Sequence, residues 1–83
     1  MPSVTLRCFA SAREAAGTAS DEFAASTVAA LLAMAGERYG AEWRLVLQTS
    51  RVWLNGDEPA DGEATELHHG DEVAVLPPVS GGA

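Results

Sequence analysis

The sequence predicts an α+β domain in which one mixed sheet packs against one main helix. Three observations carry that expectation. The segments near both termini alternate like strands that are apolar on one face. One long stretch between them repeats its apolar residues at helical spacing. The length, 83 residues, gives room for a single small core. A sheet with one apolar face has to bury it, and the single long helix is the element available to cover it.

Residues 3–10, SVTLRCFA, place Val4, Leu6, Cys8 and Ala10 on one face and Thr5, Arg7 and Phe9 on the other. This reads as a half-buried strand with the aliphatic set inward and Phe9 left on the polar side. Residues 11–17, SAREAAG, close in a glycine and read as a helical turn or loop, and SDEFA at 20–24 reads as a second strand. Ser26 and Thr27 are both plausible N-caps for the main helix, TVAALLAMAGERYG. Val28, Leu31, Leu32, Ala35 and Tyr39 form its apolar stripe, Gly36 weakens its last turn and Gly40 ends it. Trp43, Val46 and Leu47 suggest a short further helical turn. RVWLNGDE at 51–58 is a strand entering an Asn-Gly turn, a hairpin signal. DGEATELHHGD is irregular. DEVAVLP at 71–77 is the last strand, with Val73 and Val75 inward and Ala74 and Leu76 outward.

Twelve acids face five arginines, and there is no lysine, for a net charge of −7. Such a chain repels phosphate backbones, which argues against nucleic-acid binding. The acidity suits a partner with a basic face, or simply solubility. Absence of lysine removes Schiff-base chemistry. The single cysteine forbids an internal disulfide and suits a reducing compartment. Neither a membrane span nor a signal peptide is expected, so the expected location is the cytoplasm.

Candidates for catalysis are weak. His68 and His69 are adjacent, which matches neither common two-histidine metal spacing, and no metal site is expected. Cys8 sits at an inward position and reads as a core thiol. The two tryptophans read as core or edge packing. No nucleophile elbow, phosphate loop or dinucleotide fingerprint is present. The chain is therefore not expected to be an enzyme by itself. If the terminal strands are neighbours, Phe9 and Leu76 lie close together on the face away from the helix, as a docking patch or as ordinary apolar surface.

The segment beyond the last strand, PPVSGGA, is the most unusual in the chain. Glu72 is the last charged residue. Pro77 and Pro78 have no backbone N–H, so strand pairing stops there. Val79 to Gly82 reach at most about 14 Å further. Two glycines without Cβ atoms allow such a segment to thread a narrow slot and expose its carbonyl carbon. The residues alone leave two readings open, a chemically active tail and a plain disordered end or expression remnant.

FASAREAAG at 9–17, GDEVAVLPPVSGG at 70–82 and the helix between them resemble the small, sulfur-carrying subunit of molybdopterin synthase, within the ubiquitin-like sulfur carrier superfamily. The likeness spans nearly the whole chain. It implies the β-grasp fold, with a domain over residues 1–78 and a flexible Gly-Gly tail over 79–83. It implies as partner an adenylating and sulfurtransferase enzyme of the ubiquitin-activating type, which uses ATP and magnesium to adenylate the terminal glycine; sulfur then replaces AMP to leave a thiocarboxylate. A large synthase subunit then takes the tail and passes the sulfur to cyclic pyranopterin monophosphate. The resemblance assigns the sulfur to Gly82 with Gly81 as its slender neighbour, and partner contact to Phe9, Arg13, Leu76, Pro77, Pro78 and Val79. No cofactor is expected on the chain itself. Ala83 departs from the family's terminal glycine; trimming of Ala83 by a protease before activation is the favoured expectation, and adenylation at Ala83 itself is the alternative. Related carriers serving thiamine, cysteine or specialised-metabolite synthesis, and ubiquitin-like protein modifiers, are the alternative.

Overall fold

The alternating segments at the two ends of the chain become the two central strands of the sheet. The computed structural model describes residues 1–78. In chain order these form β1 (Ser3–Cys8), α1 (Ala10–Ala16), β2 (Ser20–Ala24), α2 (Val28–Tyr39), α3 (Ala41–Gln48), β3 (Arg51–Leu54), a 3-10 turn at Gly62–Ala64 and β4 (Glu72–Leu76). The expected tail, residues 79–83, lies outside the described residues, and Val79, Gly81, Gly82 and Ala83 with it.

The strand order is β2-β1-β4-β3. β1 and β4 run parallel, with Leu6 opposite Val73 and Cys8 opposite Val75. β2 and β3 flank them antiparallel. This is the mixed sheet the sequence predicts, in the β-grasp arrangement. Period-2 alternation puts Val4, Leu6, Cys8, Phe23, Val73 and Val75 on one face, where all are buried. The helices cover that face, adding Ala12, Val28, Leu31, Leu32, Ala35 and Trp43 to the same cluster.

Of the two candidate caps, Thr27 is the one used. Its Oγ1 accepts from the Ala30 N–H at 3.1 Å, an interaction of about 1 kcal/mol. Ser26 instead offers its carbonyl to the Leu67 N–H at 2.8 Å, which ties the β3–β4 connection to the start of α2. Leu67 is buried by that tie.

Three local expectations change. Ala10 was expected inward on the first strand; it is exposed and begins α1 with φ 51°. The strand ends early because the Phe9 carbonyl turns to accept the N–H groups of Ala12 and Arg13. Ala12 takes the buried place, since inward alternation and the first helical turn coincide there. Gly36 does not merely weaken a helix. A Cβ at this buried position would lie 2.9 Å from Arg44 Nε, so the glycine lets α3 pack its arginine directly on α2. The short turn expected at Trp43 is a helix of eight residues. Trp43 is the largest fully buried side chain, stacked at a tilt on Tyr39 with ring centres 5.5 Å apart.

The Asn-Gly turn forms as expected, with Asn55 at φ 53° and Gly56 at φ 88°. Both residues need the left-handed region, as a tight hairpin turn of this type requires. The returning strand does not follow, however. Pairing after the turn stops at Leu54 and Asp57, and the long partner of β3 is β4.

Candidate functional site

The topology decides what gathers where the tail leaves. Because β1 and β4 are parallel, both end at the same edge of the sheet, and antiparallel β3 begins there. Phe9, Leu76 and Arg51 are brought together by these ends. The Phe9 N–H donates to the Val75 carbonyl at 3.2 Å, so Phe9 continues the β1–β4 ladder by one step before the chain turns into α1. Its ring is 40% exposed on the face away from the helices. Arg7 lies 5.8 Å from the ring centre, within cation–π range, and reaches Glu72 at 3.8 Å.

Leu76 is half-buried on the same outer face, opposite Arg51 in the register. Pro77 is half-buried and Pro78 exposed, and neither continues the strand pairing beyond Leu76. Arg13 is exposed on α1, the helix that begins at this end. Phe9, Leu76, Pro77, Pro78 and the start of α1 thus share one end of the sheet. Val79, Gly81, Gly82 and Ala83 lie outside the described residues.

Two residues in this region were not among the site residues expected from the sequence. Trp53 sits half-buried on the outer face opposite Ala74, and Arg51 stands at the mouth of a cleft beside the tail root. The signal was present. In RVWL, the inward positions of Val52 and Leu54 oblige Arg51 and Trp53 to face outward. The outer face is therefore apolar along Phe9, Ala74, Leu76 and Trp53, with Arg7 and Arg51 beside it.

The other candidates are structural. Cys8 is buried, and its thiol pKa is pushed up by burial, an effect that the Trp43 N–H beside it partly offsets and the Asp21 charge reinforces. A thiol held protonated in this way is a poor nucleophile. The Trp43 Nε1–H has no conventional acceptor, and sulfur is a weak one. The His68 backbone N–H donates to Asp71 at 2.7 Å, while its exposed imidazole lies 3.8 Å from the same carboxylate. Among the described residues, no three His, Cys, Asp or Glu side chains gather where they could hold a metal ion. No helix there is long and apolar enough to cross a membrane.

The fold that positions these residues is shared with known proteins. Among solved structures, small archaeal modifier protein 1 (SAMP1) from Methanosarcina acetivorans is 28% identical with a TM-score of 0.87, covering 98% of this chain and 97% of that one. SAMP1 from Haloferax volcanii is 27% identical with a TM-score of 0.82, over 95% and 98%. A complex of subunits 1 and 2 of molybdopterin-converting factor from Helicobacter pylori contains a chain 25% identical, with a TM-score of 0.72, over 95% and 97%. No curated protein matches the sequence significantly. These likenesses make the fold that of the ubiquitin-like sulfur carriers and modifiers. The family model matches residues 6–82, from the first strand through the second tail glycine, and on that match the chain belongs to the ThiS family.

Proposed function

We propose that this protein is a sulfur carrier, itself non-catalytic, whose Gly82 carboxylate is adenylated and then converted to a thiocarboxylate for molybdopterin synthesis. The observation that carries the reading is the continuity of the site. β4 ends at Leu76, Pro77-Pro78 follow beside an outward-facing apolar platform, and the family match runs on through Gly82. A free carboxylate is a poor electrophile. Attack of its oxygen on the ATP α-phosphate releases pyrophosphate and makes AMP the leaving group, splitting one hard step into two easier ones. A hydrosulfide then adds to the carbonyl carbon and expels AMP, leaving the thiocarboxylate. ATP and magnesium belong to the activating enzyme. The carrier contributes the platform and a carbonyl free of side-chain cover.

In the 83-residue chain the Gly82 carbonyl is tied in an amide bond to Ala83. That bond has to be cut before adenylation, which assigns a protease to the first step. Full-length protein and a chain ending at Gly82 are each incubated with an adenylating enzyme, ATP, magnesium and sulfide, and their intact masses compared. The Gly82-ending form gains the mass of one oxygen-for-sulfur exchange, and the full-length form does not. If the Gly82-ending form never gains sulfur or adenylate, the carrier reading fails. Sulfur on an intact Ala83 would remove the trimming step alone.

A second reading, a protein modifier joined to amines through the same activated glycine, is favoured by the likeness to the two archaeal modifier structures. The two readings part at the acceptor. Thiocarboxylated protein mixed with a large synthase subunit and cyclic pyranopterin monophosphate yields molybdopterin under the first. Under the second, isopeptide-linked conjugates appear in cell extract instead.

A further inference from the structure

The first residue of β3 is held opposite the last residue of β4. That pairing creates a cleft of about 470 Å³ lined by Thr49, Arg51, Leu76, Pro77 and Pro78. Its walls are two prolines and a leucine. The Thr49 hydroxyl is already spent as a donor on the Val46 carbonyl at 3.3 Å. The guanidinium of Arg51 is therefore the strong donor that the described residues bring to the cleft, and no carboxylate among those residues lines it. Among the described residues Arg51 makes no ion pair, in a chain where acids outnumber arginines twelve to five. Seven of those twelve acids fall within residues 57–72, the connection entered and left at the opposite end of β3 and β4. Overall acidity suggests a partner with a basic face, but at the root of the tail the local sign is reversed.

A guanidinium beside apolar walls matches a planar carboxylate, which it can grip through two parallel hydrogen bonds. Leu76 and Pro77 suit the aliphatic stem of the same side chain. A polyanion would meet the repulsion of the whole chain, whereas one carboxylate on a protein surface is felt at short range. The geometry points to the Arg51 cleft as a specificity site that receives an Asp or Glu side chain of the adenylating enzyme of the ubiquitin-activating type. This inference rests on the carrier reading and adds to it the chemistry of the partner's docking surface.

The test uses the chain ending at Gly82 and the adenylating enzyme of the ubiquitin-activating type from the same genome, followed by ATP–pyrophosphate exchange. Arg51→Glu raises the KM for the carrier about tenfold or more and leaves kcat nearly unchanged, as loss of a docking contact should. Arg51→Lys recovers part of the loss, because an ammonium keeps the charge without the planar fork. Arg44→Glu, on the helical side of the molecule, changes net charge by the same amount and leaves KM as it was. Thermal melts confirm that the variants are folded, and Arg51→Gln replaces Arg51→Glu if the latter is not. Equal KM values for Arg51→Glu and wild type, or equal rises for Arg51→Glu and Arg44→Glu, would overturn the inference while leaving the carrier reading intact. Competition by inorganic phosphate at about 10 mM that Arg51→Gln abolishes would make this a free-anion site and overturn the partner assignment. Wild type that is never adenylated sinks the carrier reading itself.

Discussion

The two ends of the sheet are built on different principles. At the end where β1 and β4 finish, Phe9, Leu76 and Pro78 remain at least partly open, and Arg51 lacks an ion pair among the described residues. At the other end the polar groups satisfy one another. The Asn55 side chain donates to Asp71 at 3.0 Å and accepts from the Glu72 N–H at 2.9 Å, while the His68 N–H donates to the second Asp71 oxygen at 2.7 Å. Hydrogen bonds from Asn55 first, and then from the His68 backbone, hold the Asp71 carboxyl below the usual carboxylate range. A closed network stabilises a fold, and an open apolar surface with unspent donors recognises something else. The difference teaches that this small domain fixes its shape at the acidic end and leaves the tail end available.

The sharpest way to break the comparison is to damage each end and ask which property fails. Leu67→Ala removes a buried side chain near the start of α2, at the acidic end. It costs about 2–4 kcal/mol in urea unfolding, and molecules that remain folded bind the partner normally. Asn55→Ala comes next. It leaves Asp71 and the Glu72 N–H short of partners and puts alanine at φ 53°, for a loss of about 1–2 kcal/mol and, again, no change in partner affinity.

At the tail end the pattern reverses. Phe9→Ala and Leu76→Asp change stability by no more than about 1 kcal/mol and weaken partner binding about tenfold, measured by calorimetry on the folded variants. Matched losses of stability and affinity would place those side chains in the core and erase the distinction between the two ends.

The smallest effect is in acid. Burial alone would raise the Asp21 carboxyl, but hydrogen bonds from Tyr39, Arg38 and the Glu22 N–H, with the Arg38 charge at 3.0 Å, outweigh it and lower the pKa. Asp71 is lowered as well. Carboxyls with depressed folded-state values contribute stability above the unfolded pKa of about 3.9, and that contribution is lost as pH falls through the folded values. Asp71→Asn therefore lowers stability at neutral pH and makes the acid limb of a urea-stability profile shallower. An unchanged slope would show that the Asn55–Asp71 network does not stabilise the acidic end.

Legibility in the sequence followed the range of the interactions. β2 is found at the residues expected, although SDEFA is a weak strand by itself and its place follows mainly from an element having to precede the main helix. The start of α2 was readable from its local capping residues, although choosing Thr27 over Ser26 required knowing that the Ser26 carbonyl is engaged by Leu67, 41 positions away. The Asn-Gly turn was legible and its partner strand was not, since a turn motif specifies the bend and says nothing of which distant strand fills the ladder. Ala10 misled because an alanine fits an alternating strand and a first helical turn equally well.

By itself the sequence determined the class of the fold, the inward sets of β1 and β4, the main helix with its stop at Gly40, and the composition of the segment after Pro78. Each of these is written in the period of side chains along a local stretch, and local periodicity survives without knowledge of neighbours. Only the tertiary structure decided that Gly36 is a contact surface for Arg44, that Trp43 centres the core, and that Arg51 and Trp53 share the outer face with Phe9 and Leu76. Those residues are up to 67 positions apart, from Phe9 to Leu76. The physical reason is the parallel pairing of β1 with β4: it brings the last residues of both strands to one end of the sheet, and no short-range pattern records which strands will pair.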